Sequence, residues 1–473
     1  MSERAYSMWI DGRPVAGTLS VDVRNPATAE VFAQAPDCTP EQLDATVAAA
    51  RRAFPAWSAT PIAERQRVVH AIAAVINENL DELKTLFTRE QGKPHAFAEM
   101  EIQAAAWWCM GAATLAPESK VIEDSEERRV EQRRQPLGVV AAIIPWNFPV
   151  LLAFQKIAPA LVAGCTLVVK PSPYTPLTLL RIAELVGDLV PPGVFNVVSG
   201  GDQLGPMLTG HAGIDKISFT GSTATGKKVM ANAAADLKRI TLELGGNDPA
   251  IVMPDVDVAG VAPKLFWAAF VNSGQLCLAT KRLYVHDRIY EPLTRAIADY
   301  ARTVVVGDGA TQGVGLGPIQ NEAQHRRVLD LIANARRDGL RFLFEGEAPN
   351  GPGYFVPVTI IDNPPDDAPV VTEEAFGPVL PILRFDDVDE VIARANATPY
   401  GLGASVWSRD LEAADAIAAR LDAGVVWINE IHHMSSLTVL AGHKQSGLGS
   451  ENGQEGLHEF TAIKTVITSR NAA

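Results

Sequence analysis

The chain has 473 residues, with 41 Lys and Arg against 55 Asp and Glu for a formal charge of −14; hydrophobic residues make up 47% and charged residues 20%. Composition this near the globular average excludes a disordered, fibrous or small disulfide-stapled molecule, and the length allows two or three domains of about 150 residues, each with its own core. The acidic balance argues against a surface built for nucleic-acid phosphates or an anionic membrane, so function is to be sought in a pocket.

The first 25 residues alternate apolar and polar positions around turn signals and read as short strands. From Pro40 to about Ala113 apolar residues recur at three and four spacing, and the second helical stretch ends on Gly92 with Pro94 beyond it. The segment Glu123–Arg134, EDSEERRVEQRR, alternates charges as a solvated strand or arm does. From Val139 to Leu244 short apolar runs alternate with helix-length segments, which specifies βαβ units and a mostly parallel sheet covered on both faces. A second mixed pattern from Asp248 to about Gly442 is enough for another α/β domain, and the tail Leu457–Ser469 returns to strand-like alternation. Ligands of such sheets bind beyond the carboxyl ends of the strands, so motifs there carry the most weight.

Cys38, Cys109, Cys165 and Cys277 form no CxxC pair and lie near no His at metal-ligand spacing, so no metal is expected. The thiols imply a reducing compartment. The N-terminus lacks a secretory apolar core, and no apolar run reaches the ~18 residues of a membrane span, so a cytoplasmic protein is expected.

Several strand ends carry chemistry. FTGSTATG, Phe219–Gly226, separates an apolar strand from a helical run; small residues there let backbone N–H groups approach an anion such as a dinucleotide pyrophosphate, although Ser and Thr are also ordinary caps. The GxGxxG fingerprint is absent, since GVGLG, Gly313–Gly317, precedes no βαβ continuation and lacks the final glycine. Lys170, ending TLVVK, either reaches a ribose or phosphate or is a surface lysine. Asn147 in PWNFP is an amide donor for an oxyanion or a helix cap. Glu243 stands at a strand end before Gly245-Gly246, and Cys277 follows in the polar turn NSGQLCL. The other three cysteines fit buried helical or strand patterns; Cys277 fits them least. Thiol, carboxylate, amide donor and dinucleotide site together are the parts needed to oxidise an aldehyde to an acid.

With PWNFP, KPS, FTGSTATG, LELGGNDP, GQLC, EEAFGPVLP, NATPYGL, VVWIN and GHKQSG in order, the chain resembles the aldehyde dehydrogenase family over essentially its whole length. The resemblance implies an α/β fold in three parts: a Rossmann-like parallel-sheet cofactor domain (1–124 and 144–245), an α/β catalytic domain (246–442) and a small β oligomerisation arm (125–143 and 457–473). A homodimer or homotetramer acting on a small-molecule aldehyde follows, without nucleic-acid or membrane partners. By the same resemblance Cys277 is the nucleophile, Glu243 the base for deacylation, Asn147 with the Cys277 N–H the oxyanion hole, and Lys156 a proton relay. Ile144, Trp146, Lys170, Gly221, Ser222, Gly226, Glu374 and Phe376 fall where the family holds its nicotinamide cofactor, and Gln155, Val271, Leu276, Leu278, His432, His433 and Leu440 where it forms the substrate tunnel.

Glu243 favours release of a free acid over transfer to coenzyme A, and the intact Cys277, Glu243 and Asn147 set disfavours a catalytically silent structural or binding relative. Pro173 replaces the Glu common in NAD-preferring members, so use of NADP as well as NAD is expected. Leu440-Ala441-Gly442 replaces the frequent FGG, and Ser450 a usual Arg. Gln155 and Val271 replace large aromatics, which implies a roomier, mainly apolar tunnel for aromatic or medium-chain aldehydes, with a semialdehyde as the alternative. His432 and His433 either meet a polar or acidic substrate group or are plain exposed loop residues.

Overall fold

The computed structural model describes residues 4–471. The wholly apolar runs after Val139 become buried strands because a parallel strand covered by helices exposes neither face. Phe195–Val197, Thr166–Lys170, Val139–Ile143, Lys216–Thr220 and Arg239–Glu243 lie side by side and parallel in that spatial order. Met8–Ile10 and Arg13–Val15 extend one edge antiparallel, and Gly447–Leu448 closes the other, completing eight strands. Being parallel, the five central strands deliver Ile144–Asn147, Lys170, Gly221 and Glu243 to one rim.

The second sheet has seven strands, in the order Arg341–Glu345, Thr359–Asp362, Val379–Phe385, Thr280–His286, Asp248–Val252, Gly403–Trp407 and Val425–Ile428. Only the first of these runs antiparallel to its neighbour. The Cys277 loop feeds directly into its central strand Thr280–His286.

The N-terminal helices follow their sequence signals. Thr39 and Gln42 form a reciprocal capping box that starts Pro40–Ala59. The second helical stretch is two helices, Ile62–Glu78 and Leu80–Gln91, broken at Asn79, whose side chain donates to the Val75 carbonyl. It ends as expected on Gly92, at φ 95°.

Lys120–Asp124, Arg128–Pro136 and Thr461–Ser469 form a separate three-stranded antiparallel sheet. Its limits differ from those read in the sequence. Val139–Ile143 is fully buried and pairs on both sides within the eight-stranded sheet, so the arm stops at Pro136. Lys120–Asp124 joins it, while Leu457 and His458 belong to the short helix Gly453–His458. Among the described residues no helix is long and apolar enough to cross a membrane, and no group of three or more His, Cys, Asp or Glu side chains is arranged to hold a metal ion.

Candidate active site

After helix Val258–Phe270 the chain turns through three successive left-handed residues, Asn272 (φ 52°), Ser273 (φ 57°) and Gly274 (φ 73°). Two of these carry side chains, at a cost of about 1 kcal/mol or more each, and persist only because the surroundings hold them. Asn272 Nδ2 donates to the Asn147 carbonyl at 3.1 Å, Ser273 Oγ to the Gly317 carbonyl at 2.7 Å and Gln275 Nε2 to the Asn272 carbonyl at 2.8 Å. The GVGLG segment thus buttresses this turn. Gly274 admits no Cβ, which would strike the Gly377 carbonyl.

The turn presents Cys277, the one cysteine that is not fully buried. Cys38 and Cys165 lie just outside regular elements, not within them, yet are buried like Cys109. Burial pushes the Cys277 thiol up to about 12; the charge of Lys281 pulls it back, while Glu374, Asp248 and Glu243 push further. Lys281 is a residue the sequence did not single out. Its buried ammonium donates to the carbonyls of Leu276 (2.8 Å), Cys277 (2.6 Å) and Ala279 (3.3 Å), and lies 3.7 Å from Glu374 Oε1.

Asn147 follows strand Val139–Ile143 and is buried, with Nδ2 donating to the Gln275 carbonyl at 3.0 Å. An amide nitrogen has two hydrogens, so one remains for a ligand. Among the described residues the Cys277 backbone N–H carries no hydrogen bond. The Asn147 backbone is fixed by Lys93 Nζ, which donates to its carbonyl at 3.1 Å and pairs with Glu101. Glu101 also accepts from the Val150 and Leu151 N–H groups at 3.0 and 3.2 Å, at the positive end of helix Pro149–Ala163. Neither Lys93 nor Glu101 has a local sequence signal: they pair with each other across eight residues, but the Asn147, Val150 and Leu151 backbone groups that they hold lie about fifty residues away.

Glu243, at the end of strand Arg239–Glu243, is buried with Oε1 unpaired. Burial first, then the charge of Glu451, hold its carboxyl well above the usual range, and Lys156 opposes them. Lys156 is fully buried and pairs with Glu451, whose second oxygen is also unpaired. Glu451 is a further residue that the sequence did not single out.

Around the rim of the parallel sheet the cofactor candidates converge. Lys170 is buried, not a surface lysine, and its Nζ donates only to the Pro171 carbonyl, at 3.3 Å. Burial lowers its pKa to about 8, while Asp202 and Asp37 act to raise it. Ser222 caps helix Thr223–Ala234, accepting from the Thr225 N–H, and a Cβ at Gly226 would overlap Leu244, so only glycine lets this helix start pack on the sheet. Ile144 is buried beneath the PWNFP turn, and Trp146 meets Phe376 edge to face at 5.4 Å. Glu374 accepts from the Gly246 N–H at 3.2 Å and backs onto Gly245, where a Cβ would lie 2.5 Å from Oε2. Spare donors on a buried lysine, an open helix N-terminus beside Gly221 and a carboxylate with spare acceptors fit a dinucleotide diphosphate with its two riboses.

A cavity of about 460 Å³ opens onto Cys277, within the range of small-molecule sites. Gln155, Val271, Leu276, Leu278, His432, His433 and Leu440 all line it, as do Asn147, Phe148 and Leu151. The tunnel also has aromatic walls that the sequence did not reveal: Phe97, Trp107 and Trp108 come from helix His95–Ala112. The two histidines separate. His433 is exposed, whereas His432 Nε2–H donates to the Leu278 carbonyl at 3.1 Å and burial lowers its pKa to about 4.

Comparison with known proteins gives the family and the fold. A model of the aldehyde dehydrogenase family matches residues 13–466. A probable aldehyde dehydrogenase of a Pseudomonas species is 45% identical over 98% of this chain and 95% of its own. The phenylacetaldehyde dehydrogenase of Pseudomonas fluorescens is 39% identical, over 95% of this chain and 92% of its own. Among solved structures, an NAD+ complex of a Bacillus cereus aldehyde dehydrogenase superposes with TM-score 0.96 at 37% identity, covering 98% and 97% of the two chains. An E. coli NADP-dependent enzyme gives TM-score 0.95 at 36% identity and 98% coverage of both.

Proposed function

The chain belongs to the aldehyde dehydrogenase family, and we propose that it oxidises an aldehyde to the free carboxylic acid through a thioester on Cys277. The observation that carries hydrolysis is Glu243, a buried carboxylate with an unpaired oxygen close enough for its charge to act on the thiol.

The aldehyde enters the cavity with its carbonyl carbon toward Cys277 Sγ. As the S–C bond forms, the thiol proton is released to solvent through the open cavity. The carbonyl electrons move to oxygen, held by the spare Asn147 Nδ2 hydrogen and the Cys277 N–H. Lys170, the turn Gly221–Ser222, Glu374, Trp146 and Phe376 would hold a nicotinamide dinucleotide, which when bound would supply the acceptor for the hydride of the former aldehyde carbon. Glu243, whose carboxyl is held well above its usual range, takes a proton from water attacking the thioester carbonyl; the C–S bond breaks, the leaving thiolate recovers a proton from the new carboxylic acid, and Lys156 with Glu451 passes the Glu243 proton outward.

Aromatic or medium-chain aldehydes are the proposed substrates. Support comes from the mostly apolar wall and from the similarity to a phenylacetaldehyde dehydrogenase. Both cofactors are proposed, because Pro173 offers the adenine ribose neither a bonding carboxylate nor repulsion of a 2′-phosphate. A kcat/KM preference for NAD over about a hundredfold, ~2.7 kcal/mol, overturns this. The three-stranded arm exposes Val121, Ile122, Ile463 and Ile467 and is proposed to join subunits into a homodimer or homotetramer. Four unpaired cysteines suit a reducing cytoplasm.

Reduced-cofactor absorbance with an aldehyde panel, with and without coenzyme A, tests the chemistry. Wild type should turn over without coenzyme A and Cys277→Ala should not. Signal only with coenzyme A moves the enzyme to acyl transfer, and no signal on any aldehyde favours a silent relative.

A further inference from the structure

Nearly every polar side chain on the cavity wall is already engaged. Lys93 and Glu101 pair with each other, Asn147 donates to the Gln275 carbonyl and Asn272 to the Asn147 carbonyl. His432 donates to the Leu278 carbonyl, Trp108 Nε1 donates to Asn452 Oδ1 at 2.8 Å, and His433 is exposed to solvent.

Gln155 differs from all of these. It is 7% exposed, its side-chain amide makes no hydrogen bond among the described residues, and Oε1 is shut off from solvent yet unpaired. Leu151 and Leu152 precede it by four and three residues on helix Pro149–Ala163, so all three share one helical face, and all three line the cavity. Phe97, Trp107, Trp108 and Phe148 line the same space. A buried amide without a partner destabilises the empty protein, so a ligand that supplies the partner gains what an apolar analogue cannot. An amide is both donor and acceptor, which matches a hydroxyl, while the surrounding rings match a flat apolar body.

We propose that Gln155 is the specificity-determining residue of the cavity, reading a hydroxyl substituent on an aromatic aldehyde. This rests on the aldehyde-oxidising, aromatic-preferring function above. Aldehyde reactivity itself changes with a ring hydroxyl, but equally for every enzyme variant, so comparing substrate ratios between variants isolates the side chain.

The test measures kcat/KM for the three positional isomers of hydroxybenzaldehyde and of methylbenzaldehyde with wild type, Gln155→Leu and Gln155→Met. For at least one isomer the hydroxy-to-methyl ratio should fall about tenfold or more in both variants, equivalent to ~1.4 kcal/mol. Ratios unchanged within about twofold for all three pairs, while benzaldehyde is oxidised, overturn the assignment. Oxidation of aliphatic aldehydes but not benzaldehyde overturns the aromatic preference, and this inference with it. A measurement on wild type alone guards against a variant that fails to fold. Hydroxybenzoates should inhibit about tenfold more tightly than the matching methylbenzoates for the favoured isomer, and equal inhibition at all positions counts against Gln155.

Discussion

Two buried lysine–glutamate pairs lie near the thiol, and they are opposites in one respect. Lys93 and Glu101 leave nothing unsatisfied: Glu101 accepts two helix N–H groups, and Lys93 donates to the Asn147 carbonyl with its ammonium 3.9 Å above the Phe148 ring. Lys156 and Glu451 are as deeply buried, yet Glu451 keeps an unpaired oxygen, and nearby Glu243 keeps another. A buried polar group normally finds a partner. A pair with every partner in place fits a scaffold, whereas vacant lone pairs beside a carboxylate of raised proton affinity support the proton relay proposed for Lys156 and Glu451.

The largest effect that can break this contrast is on stability. Glu101→Gln leaves the Lys93 ammonium buried without its counter-charge, and should destabilise the protein by about 3–5 kcal/mol, read as a lowered denaturant midpoint. The double change Lys93→Met with Glu101→Leu should recover much of that loss. It should still impair catalysis, because the Asn147 carbonyl loses a donor and its loop loses its anchor. Unchanged stability in Glu101→Gln removes the pair from the scaffold role.

What was legible in the sequence divides along the same line. Cys277, Glu243, Asn147 and Lys170 could be picked out because each sits at a strand end or in a turn marked by Gly or Pro, where local pattern and chemistry coincide. The parallel sheet was legible for a related reason: a strand buried on both faces must be apolar throughout. Lys93, Glu101, Lys281 and Glu451 were not, since they sit in ordinary surroundings in the sequence and acquire meaning only from contacts up to 295 residues away. Trp107 and Trp108 were read as part of a helical pattern, but no one-dimensional pattern says which helix face meets a cavity in another part of the chain. The arm was placed roughly and its limit misplaced, because Val139–Ile143 follows Arg128–Pro136 with almost no interruption while pairing in a different sheet.

A smaller effect sharpens the catalytic half of the contrast. Glu243→Gln keeps the shape but cannot take a proton from water, so steady turnover should fall about a hundredfold, ~2.7 kcal/mol, while a first burst of reduced cofactor persists. Rapid-mixing absorbance separates the two phases. A lost burst assigns Glu243 to thiol activation as its dominant role, and turnover near wild type removes it from deacylation altogether.

The finest test asks whether Lys156 and Glu451 act on Glu243 at all. Glu243 works as a base only when ionised, so turnover limited by deacylation falls as pH drops through its raised pKa. The negative charge of Glu451 raises that pKa and the positive charge of Lys156 lowers it. Glu451→Gln should therefore move the acid limb of kcat to lower pH and Lys156→Met to higher pH. Glu101→Gln should leave the limb where it was, because Glu101 is not among the charges acting on Glu243. Opposite movement in one pair and none in the other establishes that the two ion pairs, alike in composition, do different work. Movement in the same direction for Lys156→Met and Glu451→Gln assigns the shift to general disruption and makes Lys156–Glu451 a second scaffold.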